Sequence, residues 1–153
     1  MRAVVQRVSS ASVSWPGQPA LSIARGLVVL AGVAPSDVQS DAVALAARIL
    51  RLRIFANAAG KFDRDILQDG GEVLAVPQFT LFADLRSGRR PGFASAAAAY
   101  LAEPMFDRFC EALEAQGSKL TRGKFGAAMA VELCNDGPVT IVLSTDSWDT
   151  AIG

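Results

Sequence analysis

Residues 26–33 read Gly-Leu-Val-Val-Leu-Ala-Gly-Val, a nearly continuous apolar run with Leu27, Val28, Val29 and Leu30 in succession. A strand with one wet face alternates apolar and polar side chains, so an unbroken run suits a strand buried on both faces. The rest of the chain has to supply that cover. With 153 residues, 51% of them hydrophobic, it has one domain's length and enough apolar material for a real core. The 15 basic and 15 acidic residues cancel, and a neutral, apolar-rich composition excludes disorder. No apolar stretch reaches the roughly 18 residues of a membrane span. The opening Met1-Arg2-Ala3-Val4-Val5-Gln6-Arg7 is interrupted by polar residues and reads as a strand, not a signal peptide.

Met1–Val8 and Ala11–Trp15 are β-rich, the second alternating Ala11, Val13 and Trp15 with serines. Pro16-Gly17-Gln18-Pro19 supplies turn chemistry before a strand over Leu21–Ala24. Pro35-Ser36-Asp37 predicts a helix entry with Ser36 as N-cap, and Val38, Ala42, Leu45, Ala46 and Ile49 then fall on one helical stripe. Leu52–Phe55 returns to strand, residues 57–61 turn, and Glu72–Leu81 is a strand interrupted by Pro77. Pro104 suits the first turn of a second helix, whose buried face is Phe106, Phe109, Cys110 and Leu113 and whose end is Gly117. Lys119–Phe125, Met129–Cys134 and Val139–Leu143 are the last strand candidates. No linker, repeat or charge block divides the chain, which predicts one domain over residues 1–153, strand-rich, with two main helices.

The chain has no histidine. That excludes a Ser-His-Asp or Cys-His nucleophile pair, an imidazole base and a histidine metal ligand. Cys110 and Cys134 form no CxxC and read as reduced core residues of a cytoplasmic protein, a disulfide being the weaker alternative. Asp63, Asp65, Asp69 and Glu72 lack EF-hand spacing and read as turn and surface residues. Neutral charge argues against gripping nucleic acid by bulk electrostatics, though not against touching an RNA end.

Two segments depart from ordinary strand grammar. In Val76-Pro77-Gln78-Phe79-Thr80-Leu81 the proline has no N–H for a sheet ladder. Either this is an edge strand with a tolerated proline, or the ladder breaks there and leaves the amides of Gln78, Phe79 and Thr80 to face a ligand. Thr80 by itself reads as a strand threonine, since no histidine can serve as its base. Asn135-Asp136-Gly137-Pro138-Val139-Thr140 reads by itself as a turn between strands. Its Gly-Pro bond could be cis, as about 5–6% of X–Pro bonds are. In the loop Asp84–Gly92, Arg86, Arg89 and Arg90 read either as a solvated surface or as a phosphate site.

Gln78-Phe79-Thr80-Leu81 and Asn135-Asp136-Gly137-Pro138-Val139-Thr140, at this separation in a chain of this size, resemble the signature motifs of the D-aminoacyl-tRNA deacylase family. The resemblance covers essentially the whole length. It includes the opening Met-Arg-Ala-Val-Val-Gln-Arg-Val, Leu52-Arg53-Ile54-Phe55, Gly88-Arg89-Arg90-Pro91 and Phe125-Gly126-Ala127-Ala128-Met129. One departure stands out: the family's first motif usually opens with serine, and here Pro77 occupies that place.

The resemblance implies a barrel-like sheet of largely antiparallel strands packed with two main helices, assembled as a homodimer with a cross-subunit active site. It implies hydrolysis of D-aminoacyl-tRNA, and of mischarged glycyl-tRNA, at the acceptor end. Catalysis would use main-chain groups of Gln78, Phe79 and Thr80 with help from the terminal adenosine's 2′-hydroxyl. Gly137 and Pro138, through a cis peptide entering the partner's pocket, would reject L-residues. Met129 and Phe125 match positions near the pocket, with a plain core role open for Met129, and Arg7 would support the inserted motif. Arg86, Arg89 and Arg90 would meet phosphate. No cofactor, metal, membrane or DNA partner is implied. The alternatives are a non-catalytic module that binds an RNA end, and an aminoacyl-ester hydrolase with relaxed chirality.

Overall fold

A computed structural model describes residues 1–146, so the last residues of the expected 1–153 domain lie outside the described residues. Its spine is one long strand, β1 (Arg2–Trp15), where the sequence suggests two segments. β1 turns at Pro16-Gly17 into β2 (Gln18–Ile23), so Gln18 and Pro19 belong to a strand and not to the turn. The first half of β1 pairs antiparallel with β3 (Gly26–Gly32), in register from Arg2 opposite Gly32 to Val8 opposite Gly26. Helix α1 (Gln39–Leu50), the short pair β4 (Phe55–Ala56) and β5 (Phe62–Arg64), and the single turn α2 (Ile66–Asp69) then lead to β6 (Glu72–Pro77). A 3-10 turn over Phe79–Phe82 and helix α3 (Ala99–Ala115) lead to β7 (Lys119–Arg122), and β8 (Ala130–Ser144) returns along β1.

The main sheet runs β2-β1-β3-β6-β7, with β8 also on β1. Every ladder made by β1 is antiparallel, as expected, but β3–β6 and β6–β7 are parallel. The reason lies in the connections: each of these pairs is joined by a helix-containing crossover, which returns the chain in the same direction. Because β2 and β7 approach one another, the sheet is nearly closed and barrel-like.

This geometry accounts for the apolar run in β3. Leu27, Val29 and Ala31 face a core shared with Leu45 and Ile49 of α1 and Phe106 and Phe109 of α3. Val28, on the opposite face, packs with Val8, Val13, Leu74 and Val76 in a second cluster. Both helical stripes are therefore buried as expected, except that Val38 is 56% exposed. It precedes α1 as the cap residue, and its N–H is accepted by the Asp41 carboxylate at 2.8 Å. Ser36 is not the N-cap. Pro104 also lies deeper than a first turn, inside α3, because that helix already starts at Ala99.

Three strand expectations end differently, one of them Lys119–Phe125, which stops at Arg122. Leu52–Phe55 is extended only from Phe55, and the strand from Glu72 stops at Pro77 instead of running to Leu81. Asp69 is not a surface residue. Its carboxylate, 3% exposed, lies between Arg25 Nε at 3.1 Å and an Arg64 guanidinium nitrogen at 2.7 Å. Asp65 caps α2 by accepting the Gln68 N–H at 2.8 Å.

Candidate functional site

The ladder between β3 and β6 ends with Ala31 opposite Pro77, and its final bond runs from the Gln78 N–H to the Ala31 carbonyl at 2.8 Å. The Gln78 amide is thus consumed by the sheet and does not face a ligand, contrary to the expectation that all three amides of the motif are open. Proline comes one residue too early to free it: the interruption falls at Pro77 itself, and Gln78 still reaches Ala31. Beyond it the chain winds into the 3-10 turn. There Leu81 N–H reaches the Gln78 carbonyl at 3.4 Å and Ala83 N–H reaches that of Thr80 at 3.1 Å. The first amides of a helical turn have no partner within the turn. Among the described residues neither Phe79 N–H nor Thr80 N–H is hydrogen-bonded. The Gln78 side-chain amide donates to the Thr80 hydroxyl, so that hydroxyl is already engaged. Phe79 is 57% exposed and meets Phe93 edge to face at 5.0 Å, a neighbour for which the sequence carried no signal.

A cavity of about 550 Å³ opens beside this turn, walled by Gln78, Phe79, Phe125, Met129, Val33 and Ala102 among others. Thr80 lies just outside that wall. Phe125 is braced by Phe106, with ring centres 6.5 Å apart. Met129 is held by its sulfur, which accepts the Lys124 N–H at 3.3 Å, and it packs on the second core cluster as well. The pocket side chains are apolar apart from Gln78, so polar chemistry here falls to backbone groups and Gln78.

The second motif is neither a turn nor a gap between strands. β8 continues through it as a bulge: Thr140 is opposite Gln6, and Asn135 is opposite Val8. The extra residues are closed off by Asn135, whose Oδ1 accepts the Val139 N–H at 2.9 Å and whose Nδ2 donates to Thr140 Oγ1 at 3.0 Å. The Gly137–Pro138 peptide is cis, and Gly137 has φ +136°. Buried Arg7 lies beneath the bulge. Its Nε donates to the Asp136 carbonyl at 3.1 Å, a terminal nitrogen reaches the Ile54 carbonyl, and its guanidinium lies 5.4 Å from the Phe62 ring centre. Neither Gly137 nor Pro138 lines the cavity of the same chain. The structure therefore gathers the expected residues into two places: Gln78, Phe79, Phe125 and Met129 at the cavity, and Arg7, Gly137 and Pro138 at the bulge.

Asp84 and Gly92 exchange backbone hydrogen bonds at 2.8 Å and tie off the basic loop. Arg86 is clamped to the Asp84 carboxylate through Nε at 2.9 Å and a terminal nitrogen at 2.7 Å. Those bonds hold the Asp84 carboxyl down to about 2. Arg89 and Arg90 are exposed and form no ion pair among the described residues. Nor do three acidic or thiol groups converge there in a way that could hold a metal ion.

Residues 4–144 match the family model for D-Tyr-tRNA(Tyr) deacylase. The chain belongs to that family. Within it, the D-aminoacyl-tRNA deacylase of Herpetosiphon aurantiacus is 51% identical over 153 residues, covering both chains completely. That of Bacteroides thetaiotaomicron is 47% identical over 146 residues, 95% of this chain and 97% of its own. Among solved structures, one described as c-Myc DNA Unwinding Element Binding Protein superposes with a TM-score of 0.90 at 39% identity, covering 96% of this chain and 100% of that one. A probable eukaryotic D-amino acid tRNA deacylase, at 15% identity and TM-score 0.82 over 93% and 97% of the two chains, shares the fold. This family member is an enzyme, a deacylase of the hydrolase class.

Proposed function

We propose that this deacylase cleaves the ester of D-aminoacyl-tRNA, and of glycine mischarged on tRNA, at the acceptor end, releasing free tRNA and the amino acid. The observation that carries the reading is the pair of uncommitted amides, Phe79 N–H and Thr80 N–H, on the turn beside an apolar cavity. In an ester hydrolysis water adds to the acyl carbon and negative charge collects on the carbonyl oxygen. Backbone donors held at that place lower the barrier, and losing one such donor typically costs about 10²–10³ in rate. The acyl–oxygen bond then breaks and the ribose oxygen takes up the proton. An aminoacyl ester is already activated, so positioning and amide donors suffice without an imidazole. The vicinal 2′-hydroxyl of the terminal adenosine would orient the water.

Selection against L-residues falls in this reading to Gly137 and Pro138 of a second subunit, entering the cavity so that their carbonyls take the α-ammonium. The separation of the two motifs within one chain supports that arrangement, as does the exposure of both bulge residues. Rejection by rigid backbone is indifferent to which D side chain arrives. Arg89 and Arg90 would meet phosphates of the single-stranded acceptor end.

A second reading is a non-catalytic module that binds an RNA end; the 39% identical solved structure is likewise named for nucleic-acid binding, to a DNA element. Purified protein given D-Tyr-, L-Tyr- and Gly-charged tRNA separates the possibilities. Turnover of the D- and glycyl esters with sparing of the L-ester is expected. Equal turnover of both enantiomers means a hydrolase with relaxed chirality, and binding without turnover means the module.

A further inference from the structure

We infer that Arg2 and Gly32 are positioning residues for the turn that carries the Phe79 and Thr80 amides. They are cross-strand partners in the β1–β3 ladder and together form the seat on which that turn rests. The inference builds on the proposed role of those amides.

The turn needs a seat because the sheet releases it early. Its last backbone bond to the ladder is the one from Gln78 to Ala31, and the amides of Leu81 and Ala83 bond within the turn itself. Its buried anchor is Phe82, 2% exposed, while Phe79 stands more than half in solvent. Two neighbours of Phe82 come from the same rung of the ladder. Arg2 places its guanidinium carbon 4.3 Å from the centre of the Phe82 ring and donates a hydrogen bond to the Leu81 carbonyl at 3.2 Å. Gly32 contributes by having no side chain. A Cβ there would lie 2.8 Å from the Gln78 carbonyl oxygen and 3.0 Å from a Phe82 ring carbon. The turn therefore sits directly on the bare backbone of β3 and is gripped from the adjoining strand. A glycine inside a strand often marks such a close backbone approach.

Arg2 also reaches Asp146 at 3.5 Å, so the same side chain ties the turn to the residues that follow β8. A cation over an aromatic face combined with a hydrogen bond to a carbonyl fixes both the tilt and the height of the turn. Donors that act by geometry lose rate when they are displaced by a fraction of their contact distance, while substrate grip elsewhere is unaffected. Arg2 and Gly32 should thus govern kcat with little effect on KM.

The test uses the intact chain with Arg2→Met, which keeps length and apolar cover, Arg2→Lys, which keeps the cation, and Gly32→Ala. Steady-state hydrolysis of D-Tyr-tRNA is measured with amide spectra of the same preparations. Arg2→Met and Gly32→Ala are expected to lower kcat by roughly 10–100-fold with KM within about threefold, and Arg2→Lys to recover most of it. The Phe79 and Thr80 amide resonances should move in both damaging variants, while those of Gly137 and Val139 should not. Unchanged kcat and unchanged turn resonances in Arg2→Met would overturn the inference, as would shifts spread evenly over the sheet. If Gly32→Ala fails to fold, Arg2→Met still decides. If the unaltered protein hydrolyses no aminoacyl-tRNA, it is the proposed function that fails, and the amide resonances alone decide whether the pair sets the turn.

Discussion

Arg7 and Asp136 are joined twice: Arg7 Nε donates to the Asp136 carbonyl at 3.1 Å and lies 3.2 Å from its carboxylate. A side chain from β1 therefore holds the backbone just ahead of Gly137, in the bulge of β8. The guanidinium also reaches Ile54, so it links the motif to the loop after α1. Arg7 is only 9% exposed and its bond to the Ile54 carbonyl is buried, whereas the Asp136 carboxylate also meets solvent.

Arg7→Met should for that reason cost about 1–3 kcal/mol, the usual penalty for leaving a buried partner, here the Ile54 carbonyl, unsatisfied. The midpoint of urea unfolding measures it. D-aminoacyl turnover should fall further than the unfolded fraction explains, since the bulge loses its hold.

At Gly137 itself there is no space for a side chain. A Cβ would lie 2.6 Å from Val139 Cγ2 and 2.9 Å from Val139 N, at a φ of +136° that only glycine adopts readily. Gly137→Ala should cost on the order of 1–3 kcal/mol in stability. It should also raise the ratio of L- to D-ester hydrolysis. Circular dichroism on the same sample checks that the fold survives. An unaltered enantiomer ratio would remove Gly137 from chiral selection.

For Thr80 the backbone is expected to matter more than the hydroxyl, which is already taken by the Gln78 side chain. Thr80→Ala keeps the N–H and should keep activity within about tenfold, whereas Thr80→Pro deletes the donor and should lose about 10²–10³ in kcat. The proline variant has to be shown folded first. Loss of turnover in a folded Thr80→Ala protein, or a trapped aminoacyl-enzyme, would point instead to a nucleophilic threonine.

Within the basic loop the three arginines should not be equivalent. Arg86 is committed to Asp84, so Arg86→Gln should weaken tRNA binding less than Arg89→Gln or Arg90→Gln. Each lost phosphate contact should reduce the slope of log affinity against log salt by about 0.7, as for a single strand. The clamp also has a pH signature. The Asp84 carboxyl titrates lower in the fold, at about 2, than its ordinary value of 3.8. The clamp's contribution is therefore fully present above the ordinary value and is lost as pH falls through about 2. Carboxyl NMR titration should find that low midpoint, and Arg86→Gln should return it toward 3.8.

The two thiols should react on different timescales. Cys110 is fully buried, and burial pushes its thiol up to about 12, so it stays protonated and shielded. Cys134 is exposed on β8. A disulfide reagent should modify one thiol per chain in the native protein and the second only after unfolding. Two fast equivalents would contradict the packing of α3.

The parts of this architecture that follow from residue pattern are those where burial has a period. The run through Leu27–Leu30 requires cover on both faces, and β3 receives it from two separate apolar clusters. The stripes of Ala42, Leu45 and Ile49 and of Phe106, Phe109 and Leu113 are buried as their spacing demands. The motifs around Gln78 and Gly137 stand out through their resemblance to a family, whereas residue types alone read the second as a turn. Periodicity records that a side chain is covered, not what covers it. The parallel course of β6 and β7 depends on crossovers, and the fusion of two strand segments into β8 depends on β1 running unbroken beside them. Ser36 loses the cap because the helix begins only at Gln39, with Val38 as its cap residue and the Val38 N–H accepted by Asp41. Only the folded chain brings Ala31 to the Gln78 amide, and with it the fact that the open donors begin at Phe79. Only there does Arg2, beside the bare backbone of Gly32, come to rest on Phe82. Hydrogen bonds between residues far apart in sequence decide which backbone groups remain for chemistry, and no local pattern encodes that choice.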